Sequence, residues 1–83
     1  GYLFLMRQIE LTNRLVKCLS CKLREANGRA RRFTPKELAQ EIDGAYAGSI
    51  GRVAEEVVGI LRVDGWNIRY DRVSNPKRFL INS

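Results

Sequence analysis

The spacing of apolar residues along the chain predicts three helices followed by a pair of strands. In residues 9–27 apolar side chains recur every three or four positions, as on the buried face of a helix. The predicted stripe contains Leu11, Leu15, Cys18, Leu19, Lys22 or Leu23, and Ala26. Asn27 and Gly28 follow the stripe and predict the end of this first helix.

A capping sequence predicts where the second helix begins. Thr34 offers a side-chain acceptor, Pro35 takes the first helical position and Glu37 the third, which together make a capping box. The apolar face of this short helix continues as far as Ile42. We expect the helix to end at Asp43–Gly44, because glycine commonly terminates helices.

A third helix is predicted beyond the following turn, with Ser49 as its N-cap. Its buried stripe is expected to contain Ile50, Val53, Ala54, Val57, Val58 and Leu61. Gly65 predicts its end. Residues 43–49 are long for a tight turn, so two alternatives stay open: either the turn is loose or the helix begins before Ser49.

Alternation of apolar and polar residues predicts the strands. Residues 66–73 alternate until Arg72, residues 74–77 have the composition of a turn, and residues 78–82 return as a second strand. The short segment 30–33 is predicted to be an edge strand, with Phe33 turned into the core. The expected fold class is therefore α+β, with three helices, a short strand and a C-terminal two-stranded hairpin.

This order of elements resembles that of the winged helix-turn-helix DNA-binding family. The resemblance covers residues 30–82 and rests on T-P-K-E-L-A at 34–39 and on V-x-x-I-L-R-x-x-G-W at 57–66, which leads into the hairpin. It implies that the third helix enters the major groove and that the hairpin, or wing, touches the adjoining backbone or minor groove. We interpret residues 6–83 as this domain and residues 1–5 as an apolar N-terminal extension, native or introduced by cloning.

The distribution of charge favours a nucleic-acid partner. The net charge of +6 divides into +6 over residues 7–32, −3 over residues 33–65 and +3 over residues 66–83. Eleven of the fifteen cations are arginine, whose guanidinium group suits bidentate contacts with phosphate and guanine. A solvated basic surface would give the same count, so charge alone does not decide between the two.

The resemblance assigns candidate DNA-binding residues. The start of the third helix and the loop before it would face the bases through Tyr46, Ser49 and Arg52. Phosphate contacts are expected from the wing and the short strand, through Arg72, Lys77, Arg78, Arg29, Arg31 and Arg32. Arg52 is the leading candidate for guanine recognition. Its alternative role is an ion pair with Glu55 or Glu56 along the same helix.

Catalytic and metal chemistry are disfavoured by the composition. The chain contains no histidine, which excludes Ser-His and Cys-His nucleophiles and Cys/His zinc sites. Cys18 and Cys21 form a C-x-x-C sequence on a predicted helix with no strand before it. Their interpretation as small hydrophobic residues is therefore favoured over a redox pair. We expect no enzymatic activity, no cofactor and no metal.

Two functions remain open at this point. The first is a DNA-binding module, either a transcriptional regulator or a chromatin-associated protein, with RNA not excluded as the partner. The second is a winged helix that binds a protein through the acidic face of its third helix, at Glu55 and Glu56. A homodimer through the apolar N-terminus and the first helix is also open. No segment has the length of a membrane span or a signal peptide, so we expect no membrane partner and an intracellular location, cytoplasmic or nucleoid-associated.

Overall fold

The computed structural model describes the backbone of residues 1–83 and every side chain except that of Leu5. Its elements in chain order are α1 (Tyr2–Ala26), β1 (Arg31–Phe33), α2 (Pro35–Glu41), α3 (Ala47–Val63), β2 (Ile68–Asp71) and β3 (Arg78–Ile81). The strands form one antiparallel sheet in the order β1-β3-β2. The predicted α+β class, with three helices, a short strand and a C-terminal hairpin, is confirmed at this level.

Helix α1 begins seven residues before the predicted start at Ile9. Residues 2–8 contain no glycine or proline, so helical hydrogen bonding continues beyond the part that packs on the core. The apolar period marks only the packed part, which explains the late predicted start. The end is as predicted: Asn27 is left-handed, with a φ of 50°, and its N–H donates to the carbonyl of Arg24 over 3.2 Å. None of the described helices, α1 included, is long and apolar enough to cross a bilayer.

The capping box of α2 forms as predicted. The N–H of Glu37 donates to Oγ1 of Thr34 over 3.2 Å, and the N–H of Thr34 donates to Oε1 of Glu37 over 3.0 Å. The N–H and then the hydroxyl of Thr34 lower the pKa of the Glu37 carboxyl. The helix ends at Glu41, and Gly44 turns the chain with a φ of +77°. That positive φ explains why glycine stands in the connection to α3.

The predicted N-cap of α3 is wrong. The helix begins at Ala47, with Tyr46 in the capping position, and the N–H of Ile50 donates to the carbonyl of Tyr46 over 3.0 Å. Ala47 and Gly48 both accept helical backbone angles, so the first turn forms before Ser49. Ser49 is therefore a residue of the helix and does not cap it. Of the two alternatives for this segment, the earlier start is confirmed.

The core lies between α1, α3 and the inner face of the sheet. Its largest fully buried side chains are Leu15, Leu19, Leu23, Leu38, Ile50, Val57, Leu61, Ile68, Phe79 and Ile81. All six residues of the predicted α3 stripe are buried. Phe33 also packs into the core, as predicted. The apolar periods read from the sequence therefore define the packed surfaces correctly.

Lys22 lies within the apolar stripe of α1 and joins α1 to α2. Its Nζ is 2.8 Å from Oε2 of Glu41 and 4.8 Å from the centre of the Phe33 ring. The aliphatic stem is covered while the charged end reaches a partner, as long cationic side chains commonly do. This arrangement explains how a lysine occupies a position that the period assigns to the core.

The register of the sheet fixes which strand residues can act together. Phe33, Phe79 and Tyr70 pair across the three strands on the inner face. One residue further along, Arg32, Leu80 and Arg69 pair, and their side chains point to the outer face because successive side chains alternate. Since β3 is central, β1 is an edge strand, as predicted.

Candidate nucleic-acid interface

The turn of the wing, residues 72–77 between β2 and β3, is organised by a single carboxylate. Asp71 accepts hydrogen bonds from the N–H of Val73 over 3.0 Å, from the N–H of Ser74 over 3.2 Å and from the Ser74 hydroxyl. The Ser74 hydroxyl and then these two backbone donors lower the pKa of the Asp71 carboxyl. The base of the wing is therefore fixed by hydrogen bonds to a charged acceptor, which are stronger than neutral ones.

A groove of about 850 Å³ lies between the wing and the first turns of α2 and α3. Its lining residues are Thr34, Pro35 and Lys36 from α2, Ala47, Gly48, Gly51 and Arg52 from α3, and Tyr70, Arg72, Asn75, Pro76 and Lys77 from the wing side. Four of these side chains are cationic, and none of the described lining residues is acidic. The N-terminal end of α3, which also carries partial positive charge, opens into the same space.

The floor of this groove is neutral and closely packed. The Tyr70 ring lies 4.7 Å from the Phe79 ring, centre to centre, and burial raises the pKa of the Tyr70 phenol. The phenol hydroxyl can donate a hydrogen bond into the groove. A Cβ added at Gly51 would lie 3.6 Å from that hydroxyl, which is an ordinary contact distance. The missing side chain at Gly51 thus leaves the helix backbone open to the groove.

Arg52 is exposed and pairs with no carboxylate among the side chains that the structure describes. The expected alternative, an ion pair with Glu55 or Glu56, does not form. Instead, Oε1 of Glu55 lies 3.6 Å from Nε of Arg72, so Glu55 faces the wing. Arg52 is therefore available to a ligand, whereas Arg72 already has a weak, exposed ion-pair partner in Glu55.

Tyr46 and Ser49 lie on the other side of the α3 N-terminus. They line a second cleft of about 490 Å³, between the start of α3 and the N-terminal half of α1, which Arg7 and Glu10 also border. Arg52 lines both clefts. The three residues expected to face the bases are therefore neighbours, but only Arg52 adjoins the wing.

The remaining predicted cations do not join the groove. Arg78 is largely covered, with its Nε 4.0 Å from Oδ2 of Asp71, a charge contact rather than a hydrogen bond. Arg31 and Arg32 are exposed on β1 and do not line the groove. Arg29 lies at the opposite end of the sheet from the wing, where its carbonyl accepts from Nδ2 of Asn82 over 3.0 Å. The expectation that Arg29 joins the wing cluster is wrong, because the antiparallel register carries it away.

Lys36 is the one groove cation that was not among the predicted DNA-binding residues. It occupies the second position of α2 and is exposed at the mouth of the groove. A cation in the first turn opposes the helix dipole, so this placement is locally unfavourable. That conflict is the one signal in the sequence that could have singled it out. Its proximity to the wing depends on packing between distant segments.

Cys18 and Cys21 show no arrangement of their own that suggests chemistry. Cys18 is partly covered, and its burial raises the pKa of the thiol, which makes it a poorer nucleophile. Cys21 is exposed, and its Sγ lies 3.5 Å from Nη2 of Arg24. Among the described residues, no group of three or more Cys, Asp or Glu side chains is placed to hold a metal ion.

Comparisons with known proteins give no relative for this chain. No protein-family model, no curated protein and no solved structure matches it. Any inference about function therefore depends on the geometry and charge of the groove and on the order of the elements around it.

Proposed function

We propose that this chain is a winged-helix DNA-binding module of a transcriptional regulator or a chromatin-associated protein in the cytoplasm or nucleoid. The cationic groove is the observation that carries the proposal. It gathers Lys36, Arg52, Arg72 and Lys77 from three separate elements, although the segment that contains α2 and α3 is acidic overall. Such a gathering of cations around a helix N-terminus suits the phosphate backbone of a nucleic acid.

The element order and strand pairing support the winged-helix part of the proposal. β1 pairs with β3, the second strand of the hairpin, and α2 and α3 lie between β1 and the hairpin in sequence. In this arrangement the N-terminal turns of α3 enter the major groove, and Arg52 reaches the edge of a guanine. Lys36, Arg72 and Lys77 contact the phosphates beside it, which positions the helix.

The alternative, a protein-binding surface on the acidic face of α3, has less support. Glu55 faces Arg72 of the wing, so part of its charge is compensated within the domain. Glu56 is exposed and remains the main outward acidic group in the middle of α3. A basic partner would therefore meet one carboxylate beside a strongly cationic groove. This charge balance favours DNA.

The test compares two double variants of equal charge. Lys36→Ala with Lys77→Ala removes two groove cations, whereas Arg24→Ala with Arg62→Ala removes two exposed cations elsewhere. Affinity for random duplex DNA is measured by fluorescence anisotropy at several salt concentrations. Each lost phosphate contact should flatten the slope of log affinity against log salt by about 0.9. We expect the groove pair to flatten it by about two units and the control pair to leave it nearly unchanged.

Equal slopes for the two double variants would contradict the proposal, because the groove would then hold no phosphate. Arg52→Ala tests base recognition separately, on a preferred site selected from a random library. Loss of a bidentate guanine contact should cost roughly 1–3 kcal/mol there and much less on random DNA. A Glu56→Lys variant that tightens DNA binding agrees with the proposal. A protein partner lost with Glu56→Lys, together with weak DNA binding throughout, would favour the alternative.

A further inference from the structure

Helix α1 carries a second row of uncharged residues, about a third of a turn away from its core-facing stripe. The α1 row consists of Tyr2, Met6, Ile9, Asn13, Val16 and Ser20. Its members are spaced four, three, four, three and four residues apart, which is the heptad pattern of a helix that packs against another helix. Tyr2, Met6 and Ile9 are 76%, 44% and 56% exposed. Its first three members therefore form an apolar surface that the domain does not cover, whereas Asn13 is polar and exposed, and Val16 and Ser20 are partly covered.

The residues that flank the α1 row indicate in which direction a partner helix would run. On one side lie Glu10 and Lys17, both exposed, and on the other side lie Thr12 and Leu19, both buried in the domain's own core. A parallel helix pair sets the charged flank of each copy against the buried flank of the other, which carries no charged side chain. An antiparallel pair instead brings like flanks together. Two copies of α1 would then set Glu10 of each against Lys17 of the other.

We propose that the α1 row is a homodimer interface in which two copies of α1 pack antiparallel about a two-fold axis. The charge pattern is complementary to itself, which identifies a second copy of this chain as the partner. The register that joins Glu10 to Lys17 also sets Asn13 near Val16 of the second copy. A polar residue in such a row commonly fixes register at some cost in stability. This inference does not depend on DNA binding.

The first test measures mass by sedimentation equilibrium over a range of protein concentrations. The parent should approach twice the 9.5 kDa mass of the chain. Ile9→Asp should remain at the mass of one chain, because a carboxylate would be buried in the interface. Val63→Asp is the matched control, since Val63 is 88% exposed near the end of α3 and should leave the dimer intact. Circular dichroism verifies that each variant is folded.

The second test reverses the flanking charges. Glu10→Lys or Lys17→Glu alone turns two attractive contacts into repulsive ones and should weaken dimerisation by roughly tenfold. The double reversal, Glu10→Lys with Lys17→Glu, restores both contacts in an antiparallel pair and should recover the parent affinity. A monomeric parent, a dimeric Ile9→Asp variant or a double reversal as weak as the single ones would each overturn the proposal.

Discussion

Thr12 and Thr34 place the same hydroxyl group in opposite environments. Oγ1 of Thr12 is buried on α1 and has no hydrogen-bond partner among the described residues, because the side chain falls within the apolar period. Oγ1 of Thr34 accepts from the N–H of Glu37 and begins α2. A buried hydroxyl without a partner loses its hydration and gains nothing in return, whereas a capping hydroxyl satisfies a helix donor.

Replacing each threonine by valine should therefore change stability in opposite directions. Thr12→Val keeps the shape and removes the unsatisfied oxygen, so we expect a gain of about 1 kcal/mol in the free energy of unfolding. Thr34→Val removes the cap and should cost about 1 kcal/mol. Urea denaturation followed by circular dichroism measures both. A loss of stability in Thr12→Val would mean that its hydroxyl has a partner in solution, such as a bound water.

At the scale of the element, α3 contains two interior glycines that differ in what surrounds them. A Cβ at Gly59 meets nothing within 4 Å, whereas one at Gly51 contacts the Tyr70 hydroxyl and enters the groove. Glycine inside a helix costs roughly 1 kcal/mol relative to alanine. Nothing in the packing of the domain itself compensates that cost at either position. At Gly51, however, a ligand could approach the helix backbone closely.

Changing these glycines to alanine should separate stability from binding. Both Gly51→Ala and Gly59→Ala should raise the free energy of unfolding by about 1 kcal/mol. Only Gly51→Ala should weaken DNA binding, by roughly tenfold, because a methyl group that blocks close approach is worth about 1–3 kcal/mol. Urea denaturation and anisotropy titration measure the two effects. Equal DNA affinities would show that the α3 backbone is not approached at Gly51.

The hydrogen bonds that Asp71 accepts at the base of the wing make its contribution to stability depend on pH. The folded pKa of Asp71 lies below its ordinary value, so the carboxylate contributes stability above the unfolded pKa and loses it as the pH falls through the folded pKa. Asp71→Asn lacks the charge at every pH. We therefore expect the stability difference between parent and Asp71→Asn to be largest at neutral pH and to shrink between about pH 5 and pH 2. Urea denaturation across that range measures it, and a difference independent of pH would contradict the role of the charge.

At the scale of the whole molecule, the features that were predicted correctly from the sequence are those that neighbouring residues determine. The buried stripe of α3, the capping box at Thr34 and the alternation in the hairpin depend on neighbouring residues and were predicted correctly. The placement of Lys36 and Lys77 in one groove depends on how α2 packs relative to the wing, and the separation of Arg29 from the wing depends on strand register. Neither of these arrangements produces a periodic pattern in the local sequence. The candidate site was therefore predicted in part, with Arg52, Arg72 and Lys77 but without Lys36.

The contact between Glu55 and Arg72 gives the groove a built-in competitor for its ligands. The Glu55 carboxylate lies 3.6 Å from Nε of Arg72, so an anion that approaches this guanidinium competes with it. A solitary anion gains little by such an exchange, because one negative group merely replaces another. A polymer that presents several phosphates engages Lys36, Arg52 and Lys77 at the same time, and its high effective concentration completes the exchange at Arg72. We therefore expect the tethered glutamate to favour multivalent polyanions over single small anions at the proposed DNA-binding groove.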